Sequence, residues 1–268
     1  MSGASVKSLG IVAGGGELPQ ALADRCKEQG IHTHIVGLKN YADEALANIV
    51  IPIGSAGKIF KAFHAQGISD LVLIGKLGRP KILDLRPDFK TLSFFGRLGA
   101  KAFNGQLGDD GLLKALRDEL EIDGFTLHGV HKFLPELLAE EGALSRLEPT
   151  SQQRADIALG VEESQKLGAA DLGQSVIVHD GSVIGREDAS GTDALIREAS
   201  GGILVKTCKP QQDRDLDMPT IGPRTIQAAH ENGLSGIAVQ ASETLIADRA
   251  ETIKLADQYG LFLIGVSL

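Results

Sequence analysis

The sequence has few aromatic residues, few cysteines and no long apolar run. Aromatic residues make up 4% of its 268 residues and tryptophan is missing, which excludes a platform of rings for stacking bases or sugars. The two cysteines, Cys26 and Cys208, are too few for a disulfide framework, and their spacing fits no metal motif. Apolar runs such as Leu71–Ile74 and Leu261–Val266 are shorter than the roughly 20 residues that a membrane-spanning helix needs.

The charge balance and the N-terminus narrow the class of protein further. With 27 Lys and Arg against 35 Asp and Glu, the net charge is −8, so we expect no nucleic-acid partner held through its phosphates. The N-terminus shows no basic region followed by an apolar stretch, the pattern of a secretory signal. These features predict a cytoplasmic protein with at most peripheral contact with a membrane.

Glycine is abundant, with 33 residues, which is typical of many tight strand-to-helix turns. In the first half of the chain, short apolar strands alternate with helical segments, and this pattern predicts a parallel sheet covered by helices on both faces. We therefore predict an α/β protein of two domains: an N-terminal Rossmann-like parallel sheet over residues 1–130, and a distinct mixed α/β C-terminal domain over 151–268. Residues 131–150 are predicted to be the linker. In the second domain, Asp180-Gly181 between two β-rich runs predicts a hairpin.

Two loops of the N-terminal half could approach a phosphate. Gly14, Gly15 and Gly16 follow the first predicted strand and open a helix, where backbone N–H groups bind anions. They satisfy neither the dinucleotide fingerprint nor the Walker pattern. Lys76 and Arg79 follow the fourth predicted strand, at the edge where open α/β sheets bind ligands. A tight turn without a ligand and a solvated basic loop are the alternatives.

Acidic residues stand beside two further predicted helices. Asp109 and Asp110 come just before one helix and are typical of capping, with contact to a ribose or a metal as the alternative. Thr192 and Asp193 open another helix, again in a capping arrangement. Asp193 could converge there with Glu187 and other acids.

The segment Lys206–Gly222 is the most informative part of the sequence. It combines two Lys, one Arg, three Asp and two Pro, and a long ordered loop of this kind is usually functional. Asp213, Asp215 and Asp217 alternate, so in an extended chain all three face one side. Carboxylates can hold Mg²⁺, and basic side chains can neutralise phosphate charge. A solvated charged loop is the alternative.

These segments together resemble the LpxI family. The resemblance runs from Leu9 to the C-terminus, and it rests on LGIVAGGGELP, GKLGRP, GDDGLL, GTDALI and LVKTCKPQQDRDLDMPTIGPRTI. It implies a Rossmann-like N-terminal domain and a separate C-terminal domain. It also implies Mg²⁺-dependent hydrolysis of UDP-2,3-diacylglucosamine to UMP and 2,3-diacylglucosamine 1-phosphate (lipid X) in lipid A biosynthesis, with water attacking the phosphate next to the sugar.

The resemblance also proposes roles for individual residues. The family motif D-[LM]-P-T-I-G places the catalytic aspartate on Asp217, and Lys206, Lys209 and Arg214 could stabilise the phosphates. The candidate metal ligands are Asp217, Asp213, Glu187 and Asp193, and the motif does not distinguish a metal ligand from a general base. The candidate substrate contacts are Gly14, Gly15, Gly16, Lys76, Arg79, Asp109, Asp110, Gly191, Thr192, Thr220 and Gly222. Where the family commonly has an acid before Gly-Thr-Asp, this chain has Ser190.

The expected partner is therefore a small acylated UDP-sugar, and contact with the inner membrane is at most peripheral. A homodimer is left open. A non-catalytic sensor of nucleotide sugars or phosphate is the alternative function. A nicotinamide oxidoreductase is disfavoured because the first loop lacks the fingerprint and Leu38-Lys39 stand where an acid would bind the ribose.

Substitution of Asp217 tests the predicted catalytic residue. We expect Asp217→Ala to abolish nearly all turnover while the fold and ligand binding stay intact, because the carboxylate acts on water or metal rather than on packing. UMP release, circular dichroism and ligand binding measure the three properties. Full activity in this variant would remove Asp217 from catalysis.

Overall fold

The chain divides into two units, Met1–Pro135 and Glu136–Leu268. The computed structural model describes residues 6–77, 87–98 and 109–268. The boundary between the units falls inside the segment 131–150 that we predict to be a linker. Part of that segment forms a short strand of the second unit, Gly142–Ala143. The linker assignment itself stays a prediction.

The first unit contains a five-stranded sheet in the order β3-β2-β1-β4-β5, in which every pairing is parallel. This is the strand order of doubly wound dinucleotide-binding folds, and it confirms the predicted parallel sheet. The apolar run of β1 is buried along most of its length, as expected of a strand covered on both faces. The elements are β1 (Ser8–Ala13), α1 (Leu18–Glu28), β2 (His32–Leu38), β3 (Ile49–Ile51), α2 (Ala56–Ala65), β4 (Asp70–Ile74), α3 (Phe89–Leu98), α4 (Asp109–Ile122) and β5 (Thr126–Leu127).

The second unit contains a six-stranded mixed sheet in the order β6-β13-β11-β9-β7-β8 and a separate parallel pair, β10 with β12. Strands β9, β11 and β13 are parallel, whereas β6 and β7 run against their neighbours. The predicted mixed α/β domain is confirmed. The elements are β6 (Gly142–Ala143), α5 (Ser151–Ala169), β7 (Ser175–His179), β8 (Ser182–Arg186), α6 (Thr192–Glu198), β9 (Ile203–Lys206), β10 (Thr220–Ile221), α7 (Pro223–Glu231), β11 (Gly236–Gln240), β12 (Leu245–Ile246), α8 (Arg249–Tyr259) and β13 (Phe262–Val266).

The sheet of the second unit separates two apolar cores. Val205 and its neighbours on one face pack against α5, and Leu204 and its neighbours on the other face pack against α6, α7 and α8. This follows from the alternation of side chains along a strand. Helix α5 lies very close to the sheet, since a Cβ atom on Gly160 would be 2.4 Å from Cγ2 of Val205. Glycine is therefore required at that contact.

The predicted hairpin is also confirmed. Asp180 and Gly181 both have positive φ, 47° and 74°, as the two central residues of a type I′ turn require. The turn makes β7 and β8 antiparallel. Because β7 is also antiparallel to β9, the end of β8, the start of β7 and the end of β9 meet at one edge of the sheet. Among the residues that the structure describes, no helix is long and apolar enough to cross a membrane.

The N-terminus of α5 gives a local test of the fold. The Gln153 N–H donates to Thr150 Oγ1 at 3.3 Å, and the Thr150 N–H donates to Gln153 Oε1 at 2.8 Å. We expect Thr150→Ala to destabilise the helix end by about 1 kcal/mol, because one N–H group loses its acceptor. Hydrogen exchange of the first amides of α5 measures the change. Ser151→Ala is the matched control, and equal protection in both variants would contradict the prediction.

Candidate active site

A buried lysine lies at the centre of the candidate site. Lys206 is the last residue of β9 and is only 5% exposed. Its Nζ donates to Thr192 Oγ1 at 2.8 Å and to Ser175 Oγ at 3.3 Å. A lysine ammonium is rarely buried without partners, since removing it from water is expensive. The surrounding hydroxyl and carboxylate groups supply those partners.

Strand register places these partners around the lysine. Ser175 begins β7 and is the direct neighbour of Lys206 across the antiparallel β7–β9 pair. Glu187 follows β8, and its N–H donates to the Ser175 carbonyl at 2.9 Å. Thr192 begins α6 after Gly191, whose φ of +83° turns the chain into the helix. Three strands and one helix therefore deliver one polar side chain each to the same point.

Glu187 serves this arrangement through both of its carboxylate oxygens. Its Oε1 accepts from Thr192 Oγ1 at 2.7 Å, and its Oε2 accepts from the Gln174 N–H at 2.9 Å. Thr192 thus donates its single hydroxyl hydrogen to Glu187 and accepts from Lys206. Glu187 is itself buried, so its charge requires this compensation.

The pKa values of Lys206 and Glu187 reflect two opposing effects, burial on one side and neighbouring charges and hydrogen bonds on the other. Burial lowers the pKa of Lys206 below its ordinary value, while Glu187, Asp217 and Asp193 counteract this effect electrostatically. Burial alone would raise the pKa of Glu187. The Lys206 ammonium and the hydrogen bonds to Glu187 outweigh burial and hold that pKa below its ordinary value. The structure therefore links Glu187, Thr192 and Lys206 by hydrogen bonds, and it places Asp193 and Asp217 within electrostatic reach of Lys206.

The loop after β9 is folded differently from the expectation. The Asp213 carbonyl accepts from the Leu216 N–H at 3.0 Å and from the Asp217 N–H at 2.9 Å. Asp213 Oδ1 also accepts from the Asp215 N–H at 3.0 Å. The expectation of an extended chain with three aspartates on one side is wrong. A short polar side chain that bonds the backbone two residues ahead favours a turn, and here the turn places Asp213 and Asp217 four residues apart on one helical turn.

The other two predicted cations form ion pairs of their own. Lys209 Nζ lies 2.6 Å from Asp171 Oδ1. Arg214 Nε lies 2.7 Å from Glu243 Oε2, and the Arg214 side chain is 60% exposed. Their contact with a phosphate stays a prediction. The pKa of Lys206 is affected electrostatically by three of the predicted site carboxylates, Glu187, Asp193 and Asp217.

In the first unit, the two glycine-containing loops contact each other. The N–H groups of Gly14 and Gly15 donate to the carbonyls of Ile74 and Lys76 at 2.8 and 2.9 Å. A Cβ atom on Gly75, where φ is +106°, would lie 2.8 Å from the backbone carbon of Gly14. The close approach of the two backbones therefore explains why Gly14 and Gly75 carry no side chain. The N–H groups of Gly14 and Gly15 already have acceptors, so phosphate binding by this loop, together with Gly16 and Lys76, stays a prediction.

The remaining predicted contacts occupy helix starts and a short strand. Helix α4 begins at Asp109, so Asp109 and Asp110 form its first turn instead of preceding it, and that expectation is wrong. Thr220 lies in β10, and its Oγ1 donates to the Met218 carbonyl at 3.1 Å. Gly222 caps α7, and its N–H donates to Thr225 Oγ1 at 3.3 Å. Arg79 lies outside the described residues.

Several residues of the site were missed from the sequence. Ser175 and Gln174 contact Lys206 and Glu187 only because β7 is antiparallel to β9. Gln212 Nε2 donates to Asp217 Oδ2 at 2.6 Å, although the glutamine carries no motif of its own. Its position within the charged loop was the only available signal.

Among the described residues, the candidate metal ligands do not form a complete protein site for a metal ion. Within residues 6–77, 87–98 and 109–268, no group of three or more His, Cys, Asp and Glu side chains is placed to hold a metal ion. Both oxygens of Glu187 already accept hydrogen bonds. Mg²⁺ in phosphate-processing sites commonly takes one or two carboxylates and completes its shell with phosphate and water. The turn that carries Asp213 and Asp217 fits that smaller requirement.

The fold and the site define a two-domain α/β protein whose polar centre lies at strand ends of the second sheet. Comparison with known families agrees with this class. Residues 8–137 match the LpxI N-terminal domain, and residues 140–264 match the LpxI C-terminal domain. The UDP-2,3-diacylglucosamine pyrophosphatase LpxI of Caulobacter vibrioides is 35% identical over 277 residues, which cover 97% of this chain and 98% of that protein. The chain belongs to the LpxI family.

The charge balance around Lys206 can be tested by removing one charge or both. We expect Lys206→Met to lower the free energy of unfolding of the second unit by about 3–5 kcal/mol, because Glu187 stays buried without its ammonium partner. Adding Glu187→Gln should recover most of this loss. Urea denaturation of the single and double variants measures the coupling. If the losses of unfolding free energy in the two single variants simply added in the double variant, Lys206 and Glu187 would not be coupled, which would contradict the described charge balance.

Proposed function

We propose that this protein hydrolyses the diphosphate of UDP-2,3-diacylglucosamine to UMP and 2,3-diacylglucosamine 1-phosphate in lipid A biosynthesis. The relative from Caulobacter is named a UDP-2,3-diacylglucosamine pyrophosphatase, which supports the substrate and the bond that is broken. The observation that carries the proposal is the buried Lys206 at the end of β9, which is linked through Thr192 to Glu187 and lies within electrostatic reach of Asp217, in a chain that matches both LpxI domains.

Lys206 supplies a fixed positive charge in this proposal. Diphosphate hydrolysis needs positioning and neutralisation of developing oxygen charge, with little covalent help from the protein. An ammonium held by Ser175 and Thr192 requires no reorientation when that charge develops. Its burial strengthens the interaction, because water screens it less.

Asp217 is the group that would act on water. It lies in the electrostatic field of Lys206 and accepts a hydrogen bond from Gln212, so the carboxylate is held in place. We propose that it orients the attacking water and accepts its proton. The attacked phosphorus is the one next to the sugar, and UMP leaves.

Magnesium is part of the proposal as well. Asp213, four residues before Asp217 on the same turn, would hold it, and the substrate phosphates and water would complete the shell. When bound, the ion supplies neutralisation of charge on the diphosphate oxygens. The carboxylates of Glu187 and Asp193 both act electrostatically on Lys206. In this proposal they favour the charged form of that lysine.

Incubation of the purified chain with UDP-2,3-diacylglucosamine and Mg²⁺ tests the function. We expect UMP and 2,3-diacylglucosamine 1-phosphate in equal amounts, loss of both with a chelator, and recovery when Mg²⁺ is added back. In water labelled with oxygen-18, the label should appear in the sugar phosphate and not in UMP. Binding of the substrate without UMP release under any divalent metal would indicate a sensor and overturn the proposal.

A further inference from the structure

The buried amide of Gln212 lies between the backbone of its own loop and Asp217. Gln212 is 8% exposed. Its Oε1 accepts from the Lys209 N–H at 3.1 Å and from the Cys208 thiol at 3.3 Å. On the other side, its Nε2 donates to Asp217 Oδ2 at 2.6 Å. All three contacts come from residues within five positions of Gln212.

The neighbours allow one orientation of this amide. A backbone N–H can only donate, so the group that faces Lys209 must be the amide oxygen. Burial raises the pKa of the Cys208 thiol to about 11, so the thiol is protonated at neutral pH and is a second donor to the same oxygen. The amide nitrogen must then point at Asp217.

The backbone that carries this amide is fixed to the sheet. The Cys208 N–H donates to Gln240 Oε1 at the end of β11 at 2.8 Å. The Cys208 carbonyl accepts from Gln165 Nε2 of α5, also at 2.8 Å. Although Asp217 itself lies in a loop, the Gln212 side chain therefore connects it to backbone that is held by β11 and α5.

We infer that Gln212 is a positioning residue that holds the Asp217 carboxylate in its reactive orientation. The inference rests on the hydrolysis proposed above. A carboxylate with one oxygen bonded to a fixed donor is restrained from turning about its Cβ–Cγ bond, so the other oxygen keeps its direction. Such restraint matters because small errors in the placement of a reacting group reduce its rate contribution strongly.

Gln211 provides the matched control. It has the same side chain one position earlier, and its Nε2 donates to the Gly168 carbonyl near the end of α5 at 2.9 Å. Its side chain is exposed, and we assign it no role in the reaction. Substitution there removes an amide from the same loop without removing the contact to Asp217.

Two substitutions of Gln212 separate positioning from folding. Gln212→Met removes both the acceptor for Lys209 and Cys208 and the donor to Asp217. Gln212→Glu keeps the acceptor and replaces the neutral donor by a second carboxyl group that repels the Asp217 carboxylate. We expect each to lower kcat for UMP release by about 10- to 100-fold, as loss of a supporting hydrogen bond commonly does, with KM changed by less than about threefold. Gln211→Glu and Gln211→Met should stay within about twofold of the wild type in kcat.

A double variant checks whether the loss of kcat in the Gln212 variants depends on Asp217. In Asp217→Asn, the further change Gln212→Glu should alter residual kcat by less than about twofold, because residues that act as a unit are not additive. A full further loss of about tenfold or more would overturn the inference. So would kcat values for folded Gln212→Glu equal to those of Gln211→Glu.

Folding is followed by melting temperature for every variant. If Gln212→Met does not fold, Gln212→Glu decides the question. Failure of both to fold would assign the amide a structural role and overturn the inference. Absence of UMP release by the wild-type chain would refute the proposed function itself, so the two failures are distinguishable.

Discussion

The burial of one ammonium group is the constraint on which the candidate site depends. A lysine at the end of a central strand cannot stay charged in a water-excluded place unless carboxylates and hydroxyl groups surround it. Thr192 and Ser175 accept hydrogen bonds from Lys206, and Glu187 accepts one from Thr192. The start of β7, the ends of β8 and β9 and the start of α6 must therefore meet at one place.

The mixed sheet makes that meeting possible. Two antiparallel pairings bring the start of β7 beside the ends of β8 and β9, so residues distant in sequence become neighbours. The parallel strands β9 and β11 end on the same edge, and Gln240 at the end of β11 binds the backbone of Cys208. The charged loop is thereby attached to the sheet at its beginning, and Asp217, at the end of its turn, lies within electrostatic reach of Lys206.

The elements themselves were predictable to a large extent. Strands β1, β2, β7 and β8 each coincide with a short run that contains apolar and β-branched residues, which is the pattern that favours strands. The two-residue strands β6, β10 and β12 were missed, since they are too short to show a period. The extended aspartate segment was wrong because local side-chain hydrogen bonds to the backbone favour a turn over a strand.

By itself the sequence determined the fold class, the two-domain organisation and the family, because apolar periodicity, turn residues and long motifs are local properties of the chain. It also predicted Lys206, Glu187, Thr192 and Asp217 as site residues. Only the tertiary structure decided which side chains these residues contact. Glu187 and Thr192 hold Lys206, Lys209 and Arg214 pair with other acids, and Gln212 reaches Asp217. Those partnerships depend on strand register and burial, which no residue encodes alone.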